Sequence, residues 1–228
     1  DIKPFGEEKL TAYEIGTKTE WFNHHLVVNA DAYISDYKDI QLSEFLPPPI
    51  GDGGTIVVNA GHVRIEGVEL DFDARPLRGL QIDGSASYMN YRTLDLGAAA
   101  GQVGGPTLHT TAPYVPRWQM SLGVQYTEDL GNVGSLTARI DESYRSLVYF
   151  DLANTAAAAQ SAYGLANLRV SWSDRDHQWT AALEMANLLN KLYYVTKTPA
   201  LNADGSLFSV NGTPGVPRTA FFTIERHF

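Results

Sequence analysis

Trp118-Gln119-Met120-Ser121-Leu122-Gly123-Val124-Gln125-Tyr126 alternates without a break between large apolar residues and polar or small ones. Successive side chains of a β-strand point to opposite faces, so one face of this segment is wholly apolar. That face begins and ends on an aromatic ring. The eight residue steps from Trp118 to Tyr126 cover about 26 Å at ~3.3 Å per residue. A tilt of about 40° shortens this to roughly 20 Å, close to the lipid-facing band between the aromatic girdles of a membrane barrel. The segment reads as a membrane-crossing strand.

The pattern recurs along the chain. Leu80, Ile82, Gly84, Ala86 and Tyr88 alternate with Gln81, Asp83, Ser85 and Ser87. Leu26, Val28, Ala30, Ala32 and Ile34 alternate with Val27, Asn29, Asp31 and Tyr33, and Val68, Leu70, Phe72 and Ala74 with Glu69, Asp71 and Asp73. Trp179, Ala181, Leu183 and Met185 share a face, as do Ala220, Phe222, Ile224 and the terminal Phe228. A soluble sandwich could supply one such strand, but it has no reason to put aromatics at both ends of so many apolar faces.

Composition agrees. The length of 228 residues admits one large all-β domain. The alanine run at 156–159 is far too short for a spanning helix. A mean hydropathy of −0.19 would suit a soluble protein, but a barrel with a polar lumen has half of every strand hydrophilic. A net charge of −9 argues against a nucleic-acid partner, and the lack of cysteine removes disulfides and thiolate metal sites. The chain begins at Asp1, without Met or a signal peptide and close to its first strand, which predicts a fragment or a processed piece.

Nine strands are predicted, over residues 10–21, 25–38, 60–75, 80–92, 117–127, 135–148, 162–173, 178–187 and 217–228. The connections alternate in length. Those at 22–24, 76–79, 128–134 and 174–177 are short; those at 41–59, 93–116, 149–161 and 188–216 are long. Short periplasmic turns and long extracellular loops alternate in this way in an outer-membrane barrel. The prolines at 47–49 with the following glycines, the stretch 96–101 and Gly104-Gly105-Pro106 predict irregular loop, and Asn211-Gly212 predicts a tight turn within the last one. The glycosylation sequon at Asn211-Gly212-Thr213 is the weaker reading of those residues.

Several ordered segments carry a resemblance. The stretch Ala12-Tyr13-Glu14-Ile15-Gly16-Thr17-Lys18, then Asn29-Ala30-Asp31-Ala32-Tyr33 and Asp36-Tyr37-Lys38-Asp39-Ile40-Gln41, resembles the mid-barrel of a TonB-dependent outer-membrane receptor. So does Gly67-Val68-Glu69-Leu70-Asp71, and Tyr114-Val115-Pro116-Arg117-Trp118 resembles the family's usual entry into a downward strand. The near-terminal Ala186-Asn187-Leu188-Leu189-Asn190-Lys191-Leu192-Tyr193-Tyr194 and Gly215-Val216-Pro217-Arg218 with a final Phe228 are similar to the family's closing strands. The resemblance implies a transmembrane antiparallel up-and-down β-barrel of about 22 strands with an N-terminal plug, residues 1–228 supplying about nine C-terminal strands. It implies active uptake of a scarce nutrient, a ferric siderophore first among the possibilities, in the outer membrane of a Gram-negative bacterium. The implied partners are outer-membrane lipid, the nutrient, and TonB with its inner-membrane energising complex, met through the N-terminal part. The barrel-assembly machinery would read Phe228 as its signal. A passive porin and a soluble all-β carbohydrate-binding domain are the alternatives.

Side-chain chemistry favours a binding function over an enzymatic one. Glu69, Asp71 and Asp73 share a face roughly 6.6 Å apart and could mimic a glycosidase pair, but charged rows are routine on a lumen face. His24, His25, His62, His109, His177 and His227 lack metal-ligand spacing, and no cofactor or metal is expected. Trp21, Tyr88, Trp118, Tyr126, Tyr144, Trp172 and Trp179 are expected as membrane-interface anchors. Tyr91, His109, Tyr149, Phe150, Tyr194 and Phe208, in or beside the long loops, are expected to contact ligand. Glu142 falls on the lipid side between Ile140 and Tyr144, tolerable near a strand's outer end or removed by a bulge.

Overall fold

The alternating segments build one long curved wall. The computed structural model describes residues 5–46, 54–59, 61–100, 105–202 and 206–227. Its strands are β1 (Lys9–Trp21), β2 (Leu26–Lys38), β3 (Gln41–Leu46), β4 (Gly54–Asn59), β5 (His62–Leu77), β6 (Leu80–Asp95) and β7 (Trp118–Asp129). They continue as β8 (Ser135–Arg145), β9 (Tyr163–Ser173), β10 (Trp179–Ala186), β11 (Tyr194–Leu201), β12 (Leu207–Pro214) and β13 (Thr219–Arg226). Nine of them form a single antiparallel sheet in the order β1-β2-β5-β6-β7-β8-β9-β10-β13. These are the nine strands predicted from the alternation. The sheet is an up-and-down meander, open at β1 and β13, and so a barrel wall that does not close within this chain.

Register decides which face is which. Leu80 pairs with Tyr126, Ile82 with Val124, Gly84 with Leu122, Ala86 with Met120 and Tyr88 with Trp118, so the apolar faces of neighbouring strands meet in rows. The rows continue through Val124–Ile140, Ala138–Val170, Val170–Leu183 and Leu183–Phe222. Leu122, Ile140, Leu183 and Ile224 are 46%, 44%, 45% and 60% exposed, so this face has no protein packed on it. Tyr88, Trp118 and Tyr144 stand on it at the long-loop end; Trp21, Tyr126, Trp172 and Trp179 stand on it at the short-turn end. Tyr88 and Trp118 touch, their ring centroids 4.8 Å apart. Glu142 pairs with Leu122 and Ala166 in unbroken register, so no bulge turns it away, and it stays on the apolar face three residues from the end of β8.

The short connections are tight for identifiable reasons. Gly79 has φ +81°, and a Cβ there would lie 2.3 Å from the Thr127 carbonyl oxygen on the next strand. Only glycine fits a left-handed turn pressed against a neighbouring backbone. Pro76, lacking an amide donor, sits where the β5–β6 ladder slips between Ala74 and Leu77, which moves the turn later than the sequence placed it.

Two of the long loops contain further strands, beyond the nine that the alternation predicts. β3 pairs with β4, and β11 with β12, as separate hairpins above the wall. The second hairpin also overturns the predicted Asn211-Gly212 turn. Asn211 pairs with Thr198 and Gly212 with Lys197 inside the ladder, and the reversal falls beyond Leu201. Glycine serves there for room, because a Cβ at Gly212 would lie 2.8 Å from the Tyr194 ring. Residues 97–99, within a stretch read as irregular, form a short 3-10 turn. Phe228, Gly104 and the prolines at 47–49 lie outside the described residues.

The buried apolar residues are Val63, Ala99, Val148, Ala158 and Ala182 among those described, and four of these five lie at the long-loop end. The wall has no conventional core; the packed interior is where the loops fold together.

Candidate functional site

Three long loops meet over the wall's polar face. The Tyr114 amide donates to the Tyr149 carbonyl at 2.8 Å, and the Thr111 amide donates to Asn154 Oδ1 at 2.7 Å. Asn154 Nδ2 returns a bond to the Thr111 carbonyl at 3.0 Å. Val148 and Gln160 exchange two backbone bonds of 3.0 and 2.8 Å, closing the loop between β8 and β9 on itself. The hairpin joins through Gln160 Oε1, which accepts from the Tyr194 amide at 2.9 Å, and through Lys197 Nζ, which donates to the Ala159 carbonyl at 2.6 Å. Tyr114 touches the other two loops: its ring meets Phe150 at 5.2 Å and its hydroxyl lies 3.0 Å from Thr196 Oγ1. Each group so tied is satisfied within protein, which holds these segments in one arrangement.

The hairpin is anchored below by Asn187, 4% exposed. Its Nδ2 donates to the carbonyls of Lys191 and Val216 at 2.9 and 3.0 Å, and its Oδ1 accepts from the Lys191 amide at 2.7 Å. One side chain therefore clamps the end of β10 to the entry of β13. Asn190 adds a bond from the Arg218 amide at 3.1 Å. The Asn-Leu-Leu-Asn segment is thus a structural clamp that fixes where the hairpin leaves the wall.

Between these loops and the wall lies a cavity of about 280 Å³. Its floor is two cross-strand pairs on the polar face, Ser143 with Leu165 and Arg145 with Tyr163. Its sides carry Tyr114, Phe150, Tyr193 and Tyr194. Tyr163 and Tyr193 stack at 4.9 Å with ring planes 19° apart, and Lys197 Nζ lies 4.8 Å from the centre of the Tyr194 ring. Arg145 is the one charged residue of the lining, and it has no ion-pair partner among the described residues. Arg139 and Arg169, on the same polar face, are by contrast paired with Asp83 and Asp141 and with Glu184. The chamber is aromatic, open to the wall's polar side, and carries one uncommitted positive charge.

Of the residues expected to contact ligand, the structure brings together Phe150 and Tyr194. Tyr91 lies in an adjoining packed cluster with Val63, Leu96, Ala99 and Thr110, under the loop after β6. Tyr149 contributes its carbonyl to Tyr114, but its ring does not line the chamber. His109 and Phe208 are exposed and stand apart from it. The sequence reading did not single out Arg145, Tyr163 or Ser143. Their signal was present: the alternation that puts Tyr144 and Gly164 outside puts them inside, at the end of the strand pair nearest the long loops.

Two carboxylates of the acidic row have ordinary partners. Asp71 accepts from Asn29 Nδ2 and Asp73 from Gln81 Nε2, each at 2.8 Å. Just before β1, at the long-loop end, Glu8 accepts from the Tyr37 hydroxyl at 2.7 Å and the Gln41 amide at 2.6 Å, and these bonds hold its carboxyl below the usual range.

The sequence model of the family described as TonB dependent receptor-like, beta-barrel matches residues 1–188. The ferric yersiniabactin uptake receptor of Yersinia pestis superposes with a TM-score of 0.77 at 23% identity, over 99% of this chain and 31% of its own. The ferric-catecholate import receptor of E. coli K12 gives 0.67 at 20% identity, over 98% of this chain and 28% of its own. The siderophore receptor of Acinetobacter baumannii gives 0.68 at 19% identity, over 95% and 28%. The chain spans under a third of the length of these receptors.

Proposed function

This chain belongs to the TonB-dependent receptor β-barrel family, and from that premise we propose that it supplies the C-terminal wall and four long loops of an outer-membrane receptor for energised uptake of a scarce nutrient. A ferric siderophore is the leading substrate, as the structural neighbours are receptors for ferric yersiniabactin, ferric catecholates and a siderophore. The observation that carries the reading is the aromatic chamber, seated at the long-loop end of a wall whose other face is apolar and girdled. A nutrient arriving from outside meets the loops first, and a chamber there can hold it before transport. Girdle aromatics such as Trp118 and Trp179 anchor the wall in lipid, and Phe228 serves as the signal read by the assembly machinery. TonB engages the part of the receptor that precedes this chain. The protein acts as a transport receptor, as its family does.

The direct test is uptake of radioactive iron by cells expressing the full-length receptor, with and without a proton uncoupler. Chelate-dependent uptake abolished by the uncoupler is expected. Uptake that is proportional to concentration, unsaturable and indifferent to the uncoupler would make the protein a passive pore. The packed mouth, with three loops bonded to one another over the polar face, favours the receptor.

A further inference from the structure

We propose, resting on the receptor reading above, that the chamber binds one flat aryl unit bearing anionic oxygen, a catecholate or salicylate arm of an iron chelate. The remainder of the ligand stays in the lumen.

Size sets the first limit. A cavity of roughly 150 Å³ holds benzene, so the chamber's volume of about 280 Å³ takes one substituted ring with its linkage and not a tetrapyrrole or a whole chelate. Shape sets the second. Tyr114, Phe150, Tyr193 and Tyr194 present rings on several sides of the space, and the Tyr163–Tyr193 stack fixes the orientation of one wall. Aromatic surfaces complement a planar ring through offset or edge-to-face contact, which a flexible aliphatic arm cannot match.

Charge sets the third. Arg145 lines the chamber and makes no ion pair among the described residues, although Glu69 and Asp71 border the neighbouring hollow of the polar face with it, while Arg139 and Arg169 are bonded to acids. A planar guanidinium in a half-enclosed aromatic site suits a delocalised anion, whose oxygens accept two parallel hydrogen bonds. One such charge matches one aryl oxyanion and is too little for a polycarboxylate. The loops are already bonded to each other, so little further ordering is needed when the ring enters.

The test is isothermal titration of the full-length receptor in detergent with four probes: a ferric triscatecholate, a ferric salicylate-type chelate, a ferric trihydroxamate and ferric citrate. At least one of the first two should bind, and the last two should not bind comparably. Arg145→Gln and Tyr194→Leu should each weaken aryl binding about tenfold or more, with Arg145→Lys recovering part of it. Heat-modifiable migration of each variant shows that its barrel is intact. Binding of hydroxamate or citrate as tight as that of the aryl chelates overturns this inference and leaves the receptor reading standing. So does aryl binding that neither substitution alters. If the wild-type receptor binds none of the four probes and takes up no iron chelate, the receptor reading fails and this inference with it.

Discussion

Replacing Gly123 by alanine should destabilise the wall, and the loss should depend on a side chain sixteen residues away in sequence. Gly123 lies on the polar face of β7, in register between Asp83 on β6 and Asp141 on β8. Arg139 crosses the space a side chain would fill, donating to both oxygens of Asp83 at 2.8 and 2.9 Å and to Asp141 at 2.9 Å. A Cβ on Gly123 would meet Arg139 Nη2 at 2.2 Å and Asp83 Oδ2 at 2.7 Å. The tip of a long side chain moves easily, so the steric cost is small; what is lost is the paired bond to Asp83. Hydrogen bonds to charged groups contribute about 1.5–3 kcal/mol, here reduced to about 1–2 because the pair is partly exposed and Asp141 retains Arg139. Alanine in a strand gains about 0.5–1 kcal/mol over glycine, leaving a net loss of up to about 1.5 kcal/mol. With Arg139→Ala already in place the guanidinium is gone, and Gly123→Ala should become neutral or stabilising. Urea unfolding of the full-length receptor reconstituted in lipid vesicles, for the four members of this cycle, measures the coupling. Equal destabilisation in both backgrounds would refute the reasoning and make the glycine a requirement of the backbone itself.

Three further outcomes follow from the same geometry. Single cysteines at Leu122 or Leu183 in the membrane-inserted receptor should react with lipid-phase probes and resist water-soluble ones, because both lie in the continuous apolar rows; equal labelling of both faces would contradict the membrane assignment. Asn154→Ala removes the side chain that ties residue 111 to the loop before β9 and leaves alanine at φ +56°, so it should cost about 1–3 kcal/mol of local stability and speed amide exchange at Thr111 and Tyr114, with no change at β7. The carboxyl of Glu8 is held below its ordinary value of 4.5 by Tyr37 and Gln41, so the tie is fully present above that value and is lost as pH falls through the lower folded value; exchange at the Gln41 amide should accelerate on acidification, and Glu8→Gln should flatten that dependence.

The nine wall strands were legible because two constraints repeat at every position. Side-chain direction in a strand alternates by geometry, and lipid on one side with a polar lumen on the other turns that alternation into composition. The hairpins above the wall escaped because neither face there has a uniform environment. Ile56-Val57-Val58 and Val195-Thr196-Lys197-Thr198 carry β-branched residues but no clean alternation, and Asn211-Gly212 carried a turn signal that proved misleading. Tertiary contact decided that case: the glycine leaves space for the Tyr194 ring and the ladder runs through it.

Sequence by itself determined the wall, its two faces, its aromatic ends and the alternation of short and long connections, since each follows from neighbours within one strand. The chamber was decided only by tertiary structure. Its lining comes from Tyr114, from the end of β8, from the loop and start of β9, and from the base of the last hairpin, segments up to some eighty residues apart. Bonds such as Tyr114 to Thr196 and Tyr194 to Gln160 bring them together. Loop side chains have no fixed period to announce which way they face. Whether an aromatic in or beside a loop lines the chamber, like Phe150, or packs beneath a neighbouring loop, like Tyr91, depends on which distant segment folds over it.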